Sequence, residues 1–261
     1  GWRRVVDAAT GLRARGETGR PVRLQRNVCG DFSAWHRGRP WFLLWALDVD
    51  VPELRPSFTR AQRQLAPWLL DGYRRQPHVT LGLCGFPVQQ EAGGFRHAED
   101  GTPKVADPEG ASADACPRAA LHRHMQGLSG AGLGPFEIEV GRVGTFATAP
   151  FLVVRHAGEL DALRTALALD PALQHLDDYL PHVTLGLYRE SWLLADLLPN
   201  LAVLDMLPPV SVHVQEVALM AYAAAQVGGP LVTVATFDLS SRRLRWHPAA
   251  SCVVGTAWLE G

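Results

Sequence analysis

The heptapeptide PHVTLGL stands at residues 77–83 and again at residues 181–187. An identity of this length recurring at long range is the mark of an internally duplicated unit, which restricts the chain to folds that present one strand twice. Each copy is a run of Val, Thr and Leu bounded by Pro and containing Gly, and it reads as a short β-strand. Alternate side chains of a strand share a face, so His78 with Thr80, and His182 with Thr184, form two matched pairs.

The elements before the two copies follow the same order. Residues 41–49, WFLLWALDV, form a β-rich apolar run after Pro40, and Leu65, Trp68 and Leu69 follow at helical spacing. Pro150 opens the strand-like FLVVRH, and Leu160, Leu163 and Leu167 mark a helix ahead of the second copy. A strand, helix, strand unit is therefore expected twice, over about 40–134 and 135–239, within a single domain over 40–261 that ends in a C-terminal tail. Residues 1–39, rich in Arg and Gly, read as an irregular leading segment with a short helix near 5–15. Residues 87–116 carry scattered Gly, Pro and acidic residues and read as a long loop, either a lid or a tolerated insertion. Further helices are expected over 118–128 and 191–198, and strands over 136–140, 142–146, 211–220 and 231–237. Short-turn strands interspersed with helices predict an α+β protein with largely antiparallel sheets.

Lys plus Arg (25) nearly balances Asp plus Glu (26), which argues against wrapping long nucleic acid and leaves room only for a local contact. Cys29, Cys84, Cys116 and Cys252 are scattered without a CxxC pair, a pattern of free thiols, so a reducing, cytoplasmic setting is expected. No stretch approaches the roughly 18–20 apolar residues of a membrane span, and no charged-then-apolar signal pattern opens the chain; no membrane partner is expected.

Two imidazoles on opposite sides of a reacting group suit phosphodiester cleavage, because one can take a proton while the other gives one to the leaving oxygen. With an ordinary pKa of about 6.5, the two rings can hold different protonation states near neutral pH. The Thr hydroxyls can hydrogen-bond the non-bridging phosphate oxygens, and the scheme requires no metal. The competing reading, a duplicated strand whose His and Thr satisfy each other in the core, does not account for the same pair at the same spacing in both copies.

The two HVTL segments, each an HxTx motif, resemble those of the 2H phosphoesterase superfamily, which includes the 2′–5′ RNA ligase-like proteins. The resemblance covers about residues 40–239, including FEIEVGRVGTF before the second unit. It implies two pseudo-symmetric lobes, each a largely antiparallel sheet with helices on its outer face, and an active cleft between them. It also implies metal-independent and cofactor-free action at a 2′,3′-cyclic phosphate, a 2′–5′ phosphodiester or a related cyclic nucleotide phosphate. Its partner would be a nucleotide or RNA terminus, and its working unit a monomer. By motif position His78 and His182 would be the acid and base pair, and Thr80 and Thr184 the phosphate-orienting hydroxyls. Hydrolysis and reversible 2′–5′ ligation remain open, as does an RNA-end or nucleotide-binding module with little or no turnover.

Other candidates are less specific. Arg74 and Arg75, just before the first motif, and Arg189, just after the second, are candidate phosphate contacts; Tyr73 and Tyr179 are candidate substrate contacts. Trp35, Trp41, Trp45, Tyr73 and Phe146 are candidate base-stacking surfaces, against the commoner role of aromatics in the core. His122 and His124 lie two apart on an expected helix, so they point to different faces and make a poor metal pair. Gly82 and Gly186 are expected to permit close packing of their strands.

Overall fold

The computed structural model describes residues 4–6, 21–88, 112–174 and 179–259. Two sheets carry the fold. In the first, strand β2 (Trp41–Asp48) lies between β3 (His78–Pro87) and β9 (Glu216–Ala223), all antiparallel. The sheet extends through β10 (Leu231–Asp238) to β11 (Arg243–Trp246), and at its other edge β4 (Ala115–Cys116) adds a short parallel pairing to β3. In the second sheet β5 (Phe136–Phe146), β6 (Pro150–Arg155) and β7 (His182–Thr184) run antiparallel in that order. Strands β8 (Val210–Val214) and β1 (Arg4–Val6) share the free edge of β5.

The two sheets share a strand order, although β9 and β10, which fall in the second expected unit, belong to the first sheet. β10–β9–β2–β3 in one sheet matches β8–β5–β6–β7 in the other, and each motif strand pairs with the strand that precedes it in the chain: Asp48 opposite His78, Val153 opposite His182. The chain nevertheless crosses between sheets. The apolar run at 211–220, expected as one strand, divides at Gln215 into β8 of the second sheet and β9 of the first. The two runs expected at 136–140 and 142–146 are one strand instead, continuous through a bulge at Gly141–Val143 where Arg142 adopts φ 57°.

One large core joins both sheets to the helices. Leu43, Trp45 and Leu47 of β2 face it, while Phe42, Leu44 and Ala46 are buried on the opposite side of the same strand, which explains its uninterrupted apolar sequence. Helix α2 (Arg55–Leu65) contributes Phe58, Ala61 and Leu65; α3 (Arg118–Gly130) contributes Leu121 and Leu128; α4 (Glu159–Leu167) contributes Leu160, Leu163 and Leu167, all at helical spacing. Trp68 and Leu69 fall beyond α2, because Ala66–Trp68 tightens into a 3₁₀ turn around Pro67, which has no N–H to donate. Helix α5 begins at Leu194 and runs to Asp205, carried through Pro199 by the buried row Leu194, Leu197, Leu201 and Leu204.

The leading segment departs from the sequence reading at its start and completes the fold at its end. Val5 and Val6, expected in a helix, are in β1, and the rest of the expected helix lies outside the described residues. Residues 22–27 run along the second sheet's far end, with Leu24 1% exposed, Leu24 N–H donating to Trp192 O and Asn27 N–H to Tyr188 O. The chain then turns through α1 (Ser33–His36) onto the first sheet, where Arg39 grips Asp114 with two hydrogen bonds of 2.7 and 3.0 Å. Most of the long loop expected over 87–116, residues 89–111, lies outside the described residues.

Candidate functional site

Strand alternation builds the site. Val79 and Leu81 of the first motif, and Val183 and Leu185 of the second, are fully buried in the core. The intervening His78, Thr80, His182 and Thr184 therefore turn to the opposite face, where all four line one cleft of about 560 Å³.

The two imidazoles are held the same way. His78 Nδ1 lies 2.8 Å from Gln76 O, and His182 Nδ1 lies 2.7 Å from Leu180 O. A carbonyl oxygen only accepts, so Nδ1–H donates in both rings and the neutral form presents an unprotonated Nε2. Burial, to which the Arg75 and His182 charges add, pushes the His78 imidazole down to about 4, against the opposing pull of the Gln76 carbonyl. Burial likewise lowers His182, whose ring packs against Phe146 and Phe151 with centroids 4.9 and 5.3 Å away. Two oriented bases thus face a shared space.

Arg26, Arg75 and Arg164 line the cleft, and among the described residues that line it none is acidic. Arg75 lies over the Tyr222 ring at 4.7 Å and Arg164 over the Tyr179 ring at 3.9 Å, a pair of cation–π contacts that fixes both guanidinium groups. Of the sequence candidates, Tyr73, Arg75 and Tyr179 line the cleft. Arg74 and Arg189 are exposed and outside its lining; their backbone N–H groups donate to Gly228 O and Trp68 O. Burial raises the Tyr73 and Tyr222 phenols to about 12 and Tyr179 further, so all three stay neutral. Trp35 and Phe146 line the cleft as well. Trp45 is fully buried and donates Nε1–H to His124, which removes both residues from the roles considered for them. His122 is exposed, and among the described residues no cluster of three His, Cys, Asp or Glu could hold a metal.

Arg26, Arg164, Gln174 and Tyr222 were not sequence candidates. Arg164 carries no local signal, since it lies in α4 between the buried leucines and reaches the cleft only because α4 packs beside β3. Tyr222 had one: in EVALMAYA it alternates with Leu219 and Ala221 of the core, so it belongs to the other face.

The family model of the 2′–5′ RNA ligase superfamily matches residues 50–226, well over half the chain and inclusive of both motifs. The protein belongs to that superfamily. No curated protein matches it. Among solved structures it resembles one described as a phosphoesterase (16% identity, 77% of this chain and 99% of that one, TM-score 0.43). It also resembles E. coli LigT complexed with 3′-AMP (16% identity, 77% and 99%, TM-score 0.45) and LigT complexed with phosphate (15%, 77% and 98%, TM-score 0.40).

In this 2′–5′ RNA ligase superfamily chain each motif strand is fastened by the opposite half. Beside β3, Tyr179 Oη donates to Thr80 O at 3.0 Å, Arg164 donates to Leu81 O, and the Gln174 amide both donates to Leu83 O and accepts from Leu83 N–H. Beyond β7, Gln62 donates to Leu185 O at 3.0 Å and Leu70 N–H to Leu187 O. The motif glycines admit this contact: a Cβ at Gly82 would lie 2.2 Å from Leu169 Cδ1, and one at Gly186 2.7 Å from Leu69 Cδ1. The reciprocal clasp holds both motif strands at the one cleft that His78 and His182 line.

Proposed function

We propose that the cleft is the active site of a phosphoesterase that acts at a ribose 2′ phosphodiester or 2′,3′-cyclic phosphate of a nucleotide or RNA end. The observation that carries this reading is the pair of identically tethered imidazoles, each presenting Nε2, in a cleft lined by three arginines. An anionic phosphodiester seated between the rings raises their proton affinity, so one gains a proton while the other stays basic. The basic Nε2 takes a proton from water, the water oxygen bonds to phosphorus, the P–O bond to the ribose breaks, and the protonated ring delivers its proton to the departing oxygen. Thr80, Thr184 and the arginines hold the non-bridging oxygens as charge builds. Two imidazoles perform both transfers, so the scheme needs no metal.

The test is a panel of 2′,3′-cyclic nucleotides, short cyclic-ended RNAs and 2′–5′ dinucleotides, assayed with and without chelator. Turnover should survive chelator and fall by about 10²–10⁴ in kcat/KM for His78→Ala and for His182→Ala. Wild-type turnover in the double variant would sink the proposal, and tight binding without product would mark the chain as a nucleotide-binding module.

A further inference from the structure

Residues 21–39 lie ahead of the family-matched part, yet five of them line the cleft: Arg26, Asn27, Val28, Phe32 and Trp35. This strap is fixed at both ends. On the second sheet Asn27 Nδ2 donates to Thr148 O at 2.8 Å and to Tyr188 O at 3.0 Å, and Ser191 Oγ donates to Leu24 O. On the first sheet Arg39 bonds Asp114, donates to Trp35 O and His36 O, and lies 3.7 Å over the Phe86 ring.

Between those anchors the strap leaves apolar surface uncovered. Val28 is 68% exposed, Phe32 44% and Trp35 39%, and all three line the cleft. Trp35 is braced rather than loose: its ring packs on Phe42 at 5.3 Å and on Phe86 at 5.0 Å, and Phe42 in turn stacks on Tyr222 at 5.4 Å. Phe32 is held with φ 50°, a left-handed conformation that a residue with a Cβ rarely adopts. Large exposed aromatics inside a cleft are unusual and mark a ligand surface. The cleft therefore pairs a cationic, histidine-bearing region with an aromatic, apolar wall, in a volume that suits a small molecule.

We infer that the strap supplies a base-stacking subsite, with Trp35 as its platform and Phe32 and Val28 beside it, for the heterocycle of a nucleotide whose phosphate sits between His78 and His182. This rests on the proposed function for the phosphate end alone. A flat aromatic heterocycle fits because stacking gains affinity from either ring face and needs no polar group at the wall. The Asn27 amide, the polar side chain next to Val28, spends both of its donors on backbone carbonyls, so the wall reads ring area before base identity. Purines should bind more tightly than pyrimidines.

Binding and turnover separate the two readings. Calorimetric affinities of the full chain for adenosine 2′-monophosphate and for inorganic phosphate are measured in the wild type, Trp35→Ala, Trp35→Phe and Phe32→Ala. Trp35→Ala should weaken the nucleotide roughly tenfold or more, leave phosphate affinity unchanged, and be rescued largely by Trp35→Phe. In kinetics it should raise KM for adenosine 2′,3′-cyclic phosphate while leaving kcat, and should leave ribose 2′,3′-cyclic phosphate unaffected. Unchanged nucleotide affinity in both Trp35→Ala and Phe32→Ala overturns the subsite, as does an equal loss for nucleotide and phosphate. A Trp35-dependent affinity with no turnover of any cyclic phosphate would instead overturn the catalytic reading and keep the subsite.

Discussion

His78 and His182 have the same tether, the same strand position and the same unprotonated Nε2, yet their neighbours differ. Arg75 adds to burial in keeping the His78 ring neutral, whereas His182 is lowered by burial and rests on Phe146 and Phe151. Two rings with separate duties should respond differently to the leaving group. A nucleoside 2′-(p-nitrophenyl phosphate) needs little protonation of its departing oxygen, so one alanine variant should recover most of its activity on that substrate while the other stays impaired. Equal losses for His78→Ala and His182→Ala on both good and poor leaving groups would show that the rings do not divide the work into acid and base. The residue scale is also where sequence reading reached furthest. Alternation in a strand is local, so the shared face of His78 with Thr80 and of His182 with Thr184 follows from spacing alone. Tyr222 shares that legibility, since alternation along EVALMAYA turns it from the core, whereas Arg164 depends on α4 packing beside β3, which no window of sequence around it contains.

Among the elements, α3 packs against α4 at a glycine. A Cβ at Gly127 would lie 1.9 Å from Ala166 O, a backbone atom that cannot swing aside. Gly127→Ala must therefore push the helices apart, and α4 carries Arg164, which bonds Leu81 O and lies over Tyr179. The variant should lose on the order of 1–3 kcal/mol in a denaturant titration, despite the higher helix propensity of Ala. Catalytic efficiency should fall with it as Arg164 shifts; unchanged stability would mean the helices are not packed at this glycine. Elements were legible where one local period ran unbroken, as for Leu160, Leu163 and Leu167 of α4. They were misjudged where tertiary pairing chose between equal local options. Gln215 divides a single apolar run because β5 and β10 lie in different sheets, and Arg142 joins two runs because a bulge keeps both on β6.

Across the whole molecule, the buried histidines make stability depend on pH. His78 and His124 are each pushed down to about 4, in both cases chiefly by burial, and His182 is lowered in the same way. An unfolded chain binds protons on these rings near the ordinary value of about 6.5, so between there and about 4 it holds more protons than the folded protein. Stability is then fully present above about pH 6.5 and is lost as pH falls through that window. The three histidines occupy different places: His78 and His182 in motif strands of the two sheets, His124 on α3 against Trp45 of β2. Because the two sheets and helices share one core, all three should contribute to one cooperative transition rather than to separate local ones. Urea midpoints measured from pH 7.5 down to 4.5 should fall steadily, and His182→Gln should flatten part of the slope while preserving a single transition. A midpoint constant over that range would show that these imidazoles take up protons alike in the folded and unfolded chain, and so are not held neutral by burial.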